Sequence, residues 1–393
     1  MFVVTLLLYT VLLALTGLYF YVKMKRPEGY PPGPAQWPLL GNIVSQAFCR
    51  NFTECYCYWA KKYGKVFSFK FGQYDVVIVC DYKIAKDINT WETLTSRPQY
   101  LFYHFFMKYQ NLGIIFSNGE LWKQNRRFTL KTLRDYGFGK KKMEGTIYEE
   151  FNILLEDIFK EGIPMGDGKV VEFKDAMTLA TENIMNSFTT GKRYEKDDEE
   201  FHKLTNILKT RIVDLSFIKL MSIFPTIYHR IPDFWLKERY NERDYFYSQM
   251  KKVIQEHRKT LDPAEPRDFI DCSLIEQDRL LNSNDSKEQV FTDDNIAWTL
   301  ADLFLAGSDT TSNTLRWFFL YIIHHPQYQA RIQQEIDTVL GRERKPTWDD
   351  HLQMPFTEAC VLEILRKVSV VPFGVDRRAE EDVVIGGYKI PKV

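Results

Sequence analysis

The sequence predicts a mainly α-helical protein with small β-sheets and an N-terminal transmembrane anchor helix. Three observations carry that expectation. Apolar residues recur at i, i+3 and i+4 through most of the chain. Alternating, β-branched stretches occur only near Val66 and again near residues 383–390. Residues 1–22 contain no charged side chain. The 393 residues are 45% apolar and 15% aromatic, enough for a sizeable core. At roughly 150 residues per domain the length fits two or three domains, or one large one. Formal net charge is zero, so the bulk balance offers nothing to a nucleic-acid partner.

The apolar run 1–22 would span about 33 Å as a helix, enough for the hydrocarbon core of a bilayer. Lys23, Lys25 and Arg26 follow it, which by the positive-inside rule keeps the remaining chain cytoplasmic. No basic region precedes the run, and it is long for the core of a cleaved signal peptide. An uncleaved anchor is therefore expected. Residues 23–48 join this basic stop to a proline-dense stretch, Pro31-Pro32-Gly33-Pro34 and Trp37-Pro38, which predicts a semi-rigid hinge. The remainder, 49–393, is expected to be a globular domain held beside the membrane.

Residues 51–63 read as a helix closed by Gly64. Strands 66–71 and 76–80 flank Gly72-Gln73-Tyr74-Asp75 as a hairpin. A helix over 84–93 follows. Residues 97–118 form a long aromatic connection containing Phe102, Tyr103, Phe105, Phe106 and Tyr109, of the length often used for binding. Further helices are predicted over 121–133, 143–160, 173–190, 199–220, 232–261, 326–340 and 356–368. Polar loops are expected at 263–268 and 282–289. The six cysteines lack zinc spacing, and the expectation is buried free thiols in a reducing compartment.

The segment 296–321 predicts one long buried helix, started by Thr292 and ended by His324-His325-Pro326. Its middle is Ala306-Gly307-Ser308-Asp309-Thr310-Thr311, a poor helix-forming run. Thr310 can bond back to the Ala306 carbonyl, Gly307 allows close approach, and Asp309 sets an acid beside the hydroxyl. Such a notch suits a small polar ligand and a proton relay; a self-satisfied kink is an equal reading. Trp122 and Arg126, at i and i+4, suit a carboxylate-bearing ligand, although an arginine lying along an aromatic explains the pair alone. Glu363-x-x-Arg366 is weak by itself, since Glu276-x-x-Arg279 matches it too.

Taken jointly and in order, the anchor with its basic stop, the Pro-Pro-Gly-Pro hinge, Trp122-x-x-x-Arg126, Ala306-Gly307-Ser308-Asp309-Thr310 and Glu363-x-x-Arg366 resemble the microsomal cytochromes P-450. The flanks Phe116-Ser117-Asn118-Gly119 and Val371-Pro372-Phe373-Gly374-Val375 agree. The resemblance runs the length of the chain and is nearest to the drug-, steroid- and fatty-acid-oxidising branch. It implies the cytochrome P-450 fold, a heme b (haem, iron protoporphyrin IX) held by a cysteine thiolate, and insertion of one atom of O₂ into a lipophilic small molecule. Electrons would come from NADPH through cytochrome P-450 reductase, with cytochrome b5 as a further donor, at the endoplasmic reticulum membrane.

On the family pattern, Ala306 and Gly307 border the oxygen site while Thr310 and Asp309 guide protons. Trp122, Arg126 and Arg377 hold haem propionates, and Gln110 stands where relatives carry a further arginine. Glu363 and Arg366 are scaffold. Phe102, Phe106, Ile114, Phe116, Leu303, Val371 and Val375 are the expected substrate walls. Lys123, Arg127, Lys131, Arg134 and residues 140–142 form a basic region, either a reductase-docking face or a solvated one. The family motif F-x-x-G-x-R-x-C-x-G does not occur after Arg366, so no metal ligand is assigned. The expectation is a fragment ending before that motif; the alternative is a haem-free, membrane-anchored chain without catalysis and with a binding role.

Overall fold

The computed structural model describes residues 17, 25–38, 40–98, 111–139, 141–161, 163–165, 168–170, 173–213, 224, 230, 232–283 and 290–392. Apart from Gly17, the predicted anchor lies outside the described residues, as do Phe102, Phe106, Gln110 and Lys140. Among the described residues no helix is long and apolar enough to cross a membrane. The chain divides into two compact units: Met1–Tyr109 with Leu215–Trp235 and Val375–Val393, and Gln110–Asp214 with Leu236–Gly374.

In the first unit, short helix α1 (Ile43–Ala47) precedes α2 (Phe52–Tyr63), where the Asn51 side chain accepts from the Glu54 N–H. Helix α2 lays Cys55 and Trp59 on Phe67 and Phe69 of the hairpin β1 (Val66–Phe71) and β2 (Tyr74–Val79). Phe71 pairs with Tyr74, so the turn is Gly72-Gln73 and shorter than predicted. Tyr74 and Asp75 join the strand because an aromatic suits it and Asp75 meets Lys70 across the pair at 3.4 Å.

The expectation of buried free thiols holds in part: four of the six cysteines are free, two of them exposed. Cys49 and Cys55 are paired, with Cα atoms 5.5 Å apart, while Cys57 and Cys80 are exposed and Cys272 and Cys360 half-buried. The Ile43–Ala47 turn brings Cys49 back onto α2, which spacing alone did not reveal.

The proline-dense stretch 31–34 is held by hydrogen bonds as well as by its prolines. Arg26 donates to Ser68 Oγ (3.2 Å), the Gly33 carbonyl (3.0 Å) and the Pro34 carbonyl (2.7 Å). Ser68 in turn donates its hydroxyl to Pro31 and its N–H to Pro32. Thus a charge predicted to flank a membrane is engaged in fastening 31–34 to β1. Helix α3 (Tyr82–Ile88), capped by Asp81, stops short of the predicted 84–93. Thr90 bonds back to the Asp87 carbonyl and Trp91 turns extended, leaving a 3₁₀ turn at Glu92–Leu94. The hairpin β5 (Val383–Ile385) and β6 (Tyr388–Ile390), numbered after the short pair below, packs Ile385 and Ile390 with Leu94 and Ala379.

The second unit is helical: α4 (Gly119–Asp135), α5 (Glu144–Glu161), α6 (Lys174–Thr189), α7 (Glu199–Val213), α8 (Asp233–Thr260, which crosses the unit boundary), α9 (Phe269–Ser283), α10 (Asp293–His324), α11 (Pro326–Leu340) and α12 (Pro355–Val368). A small antiparallel pair, β3 (Ile163–Met165) and β4 (Gly168–Val170), and helix α9 go beyond the predicted set. Thr292 caps α10 by accepting from the Asn295 N–H at 3.2 Å. Its first half buries Ile296, Trp298, Leu300 and Phe304. The second half does not follow the burial expectation: Trp317 and Ile323 are 44% and 69% exposed and line an open groove with Phe173 and Lys174.

Candidate active site

On α10, Thr310 Oγ1 donates to the Ala306 carbonyl at 2.7 Å, as the spacing predicted. Thr314 repeats this bond to Thr310 at 2.8 Å. With its proton so placed, the Thr310 hydroxyl presents lone pairs outward. Ala306 is exposed, and Asp309 and Thr310 are partly exposed, so an outside group can reach this turn. Successive helical residues diverge by about 100°, so Asp309 and Thr310 need a bridging ligand or water to exchange a proton. Gly307 serves α6: a Cβ there would overlap Met185 Cε.

Earlier on the same helix lies a polar knot that the motif reading missed. Asp302 is 7% exposed, and its Oδ2 accepts the N–H groups of Ile114 (2.6 Å) and Ile115 (2.9 Å). Asn295 Oδ1 accepts the Gly113 N–H at 2.8 Å. Asn125 of α4 donates to the Gly113 carbonyl (3.0 Å) and to Thr299 Oγ1 (2.9 Å). Burial raises the Asp302 carboxyl to about 7, against the opposing pull of its two N–H donors. The available signal was Asn295, Thr299 and Asp302 at i, i+4 and i+7, a polar stripe on the buried part of an apolar helix. Ile114 and Phe116 stand half-buried in the segment so held, and Leu303 is half-buried on α10. Val371 is 54% exposed in this unit; Val375, in the first unit, is 43% exposed.

Trp122 and Arg126 stack on α4, the guanidinium carbon 5.7 Å from the indole centroid. Arg126 is exposed, so its donors face outward to a carboxylate-bearing group. Exposed on the same helix are Lys123, Arg127, Lys131 and Arg134, whereas Lys141 is ion-paired with Asp349. In the first unit, Arg377 donates to the Leu94 carbonyl at 3.0 Å. A second guanidinium, which the sequence reading passed over, stands at the same edge: Arg97 donates to the carbonyls of Val375 (3.2 Å) and Asp376 (3.1 Å).

Glu363 and Arg366 form a two-bond pair, both at 2.7 Å, on an exposed face of α12. Glu276 and Arg279 pair in the same way at 2.8 and 2.7 Å. The motif therefore specifies a helical ion pair, and position must supply any further meaning. Position comes from α11. Glu335 accepts the N–H groups of Phe356 (3.0 Å) and Thr357 (2.7 Å) and the Thr357 hydroxyl, fixing an acid at the N-terminus of α12. Burial disfavours that acid's charge, but these donors outweigh it and lower its pKa.

In the second unit the exposed guanidinium of Arg126 suits a carboxylate arm and the exposed Ala306 leaves room for a small group, whereas Arg377 of the first unit is turned onto the Leu94 carbonyl. A thiolate ligand is another matter. Partial burial pushes the Cys272 and Cys360 thiols up, Cys57 and Cys80 are exposed, and the remaining two are paired. None of the six is set up as an axial ligand.

A family model, cytochrome P450, matches residues 31–392. Cytochrome P450 2J2 of Homo sapiens is 35% identical over 395 residues, covering 99% of this chain and 75% of its own length. Cytochrome P450 2A8 of Mesocricetus auratus is 33% identical and cytochrome P450 2C20 of Macaca fascicularis 35% identical, each over 92% of this chain and 72% of the relative.

Proposed function

Since the chain belongs to the cytochrome P450 family of haem monooxygenases, we propose that it inserts one atom of O₂ into a lipophilic small molecule, with electrons delivered from NADPH by cytochrome P-450 reductase and, as a further donor, cytochrome b5. The observation that carries this reading is the accessible Ala306–Thr310 turn, where a threonine hydroxyl is oriented by its own helix. Thiolate-ligated haem, when bound, supplies O₂ activation and favours O–O cleavage.

The chain's own side chains then have distinct tasks. Ala306 leaves space for a small ligand. Thr310 accepts a proton-bearing group at Oγ1, and Asp309 exchanges protons with solvent through a bridging water. Trp122, Arg126 and Arg377 hold the propionates. Phe102, Phe106, Ile114, Phe116, Leu303, Val371 and Val375 exclude water and favour an apolar substrate. Glu363 and Arg366 brace α12. Residues 1–22 anchor the protein in the endoplasmic reticulum membrane, 23–48 form the hinge, and 49–393 belong to the catalytic domain.

The test is Thr310→Ala in the haem-loaded, reductase-coupled protein. Product formed per NADPH consumed should fall by about 10²-fold, the lower range for lost proton transfer. Unchanged coupling would remove Thr310 from the mechanism. The cysteine settings favour one second reading, a haem-free chain with a binding role; expressed protein without a Soret band would select it.

A further inference from the structure

We propose that His257, Asp268 and Asp271 form a binding site for a zinc-class divalent metal ion, which clamps α8 to the start of α9. The three side chains offer one imidazole nitrogen and two carboxylate oxygens within 4.8 Å of one another. Asp268 and Asp271 are 1% and 0% exposed, and His257 is half-buried. Buried carboxylates need a cation, and here two are brought to one spot. An imidazole with two carboxylates suits Zn²⁺ or Co²⁺, whereas Mg²⁺ and Ca²⁺ favour oxygen alone.

Two observations outside the cluster point to an ion. The first is the aim of the imidazole. Its Nδ1–H is spent on the Val253 carbonyl at 2.9 Å, which turns Nε2 onto Asp268 Oδ2 at 2.8 Å. A backbone carbonyl on the far ring nitrogen is the usual way a metal-bound histidine is oriented. Two acceptor atoms in such contact require a cation between them, and a divalent ion can replace the Nε2 proton. Donors about 2.0–2.2 Å from a tetrahedral ion lie about 3.4 Å apart, so the pair opens by only about 0.6 Å. The second observation is room. A Cβ on Gly191 would meet Asp268 Oδ2 at 3.2 Å and, chain neighbours apart, no other described atom within 4 Å. A water completing the coordination fits beside that oxygen. Asp268 Oδ1 is already used, accepting the Asp271 N–H at 3.0 Å as the cap of α9. Arg267 is the competitor: it bonds Asp271 at 2.6 and 2.9 Å, but its side chain is 47% exposed and can withdraw into solvent.

The test titrates the chelator-stripped full chain with Co²⁺, whose visible absorption reports its ligands, and then with Zn²⁺. One Co²⁺ should bind per chain without a sulfur-to-metal charge-transfer band, and Zn²⁺ should displace it. His257→Gln and Asp268→Asn, the latter keeping an oxygen for the α9 cap, should each weaken binding by more than about tenfold. Arg267→Gln removes the competing charge and should tighten binding by about tenfold. Zn²⁺ should also slow hydrogen exchange of the native chain over 253–272 and leave 356–368 unchanged. The site is overturned if the native chain binds no Co²⁺, if a thiolate band accounts for the bound Co²⁺, or if His257→Gln and Asp268→Asn bind as the native chain does. If those two variants do not fold, the native chain decides: exchange over 253–272 that Zn²⁺ leaves unchanged overturns the site.

Discussion

Gly307 and Gly33 each leave out a side chain where a neighbour intrudes, and the identity of that neighbour decides the consequence. At Gly307 the intruder is Met185 Cε, the end of a flexible side chain. Alanine there gains about 1 kcal/mol of helix propensity and asks only for a rotamer change. Gly307→Ala should therefore alter stability by less than about 1 kcal/mol. At Gly33 the intruder is the Ser68 carbonyl oxygen, backbone held by β1 and by the Arg26 bonds. Gly33→Ala should cost more than about 3 kcal/mol, because strand and hinge must part. Urea unfolding midpoints of the two variants check both, and equal effects would show that the neighbour's rigidity does not matter. The same distinction bears on the oxygen-site role given to Gly307: its open side is already filled by α6.

At the scale of elements, α8 is stitched to α9 by charge. His257 donates Nδ1–H to the Val253 carbonyl at 2.9 Å and meets Asp268 Oδ2 through Nε2 at 2.8 Å. Asp271 is bonded by Arg267 at 2.6 and 2.9 Å. For His257, burial opposes the cation but the Asp268 bond and charge outweigh it, so its pKa is raised. A raised pKa stabilises the fold fully below the unfolded value of about 6.5 and loses that stabilisation as pH climbs through the folded value. The stability gap between the native chain and His257→Gln should thus shrink by about 1 kcal/mol from pH about 6 to pH about 9. Denaturant titrations at both pH values measure it; a gap that widens with pH would contradict the assignment. Elements of this kind show what the sequence can convey. Periodicity placed α10 and α12 within a few residues, and spacing alone anticipated the Thr310 and Trp122–Arg126 contacts. It missed α9, whose buried Phe269, Ile270, Ser273 and Leu274 lie between two polar stretches of sequence. It also missed Asp302, Arg26, Arg97 and the Cys49–Cys55 pairing, whose partners are distant or set by a turn. Contacts within four residues are written in local order, whereas a carboxylate's partner 188 residues away is not.

For the whole molecule, net charge is zero, so any electrostatic attraction to a partner must come from how charge is distributed. Helix α4 concentrates it. One face buries Asn125, Thr129, Thr132 and Leu133, which leaves Lys123, Arg126, Arg127, Lys131 and Arg134 exposed together. Trp122 and Arg126, the proposed propionate partners, share this helix, so a negatively charged electron donor drawn to the basic face would arrive at the element holding the cofactor's edge. Steering of this kind changes association rates by about 10–10³-fold and weakens as salt shortens the Debye length to about 10 Å at 0.1 M. Lys131 and Arg134 lie away from the Trp122–Arg126 pair and can be changed without touching it. Lys131→Glu combined with Arg134→Glu should slow reductase-supported turnover about tenfold at low salt, with the deficit narrowing as salt rises. Peroxide-supported turnover needs no partner and should stay within about twofold. Equal losses in both assays would place the damage in the fold of α4 and leave the basic face as solvated surface.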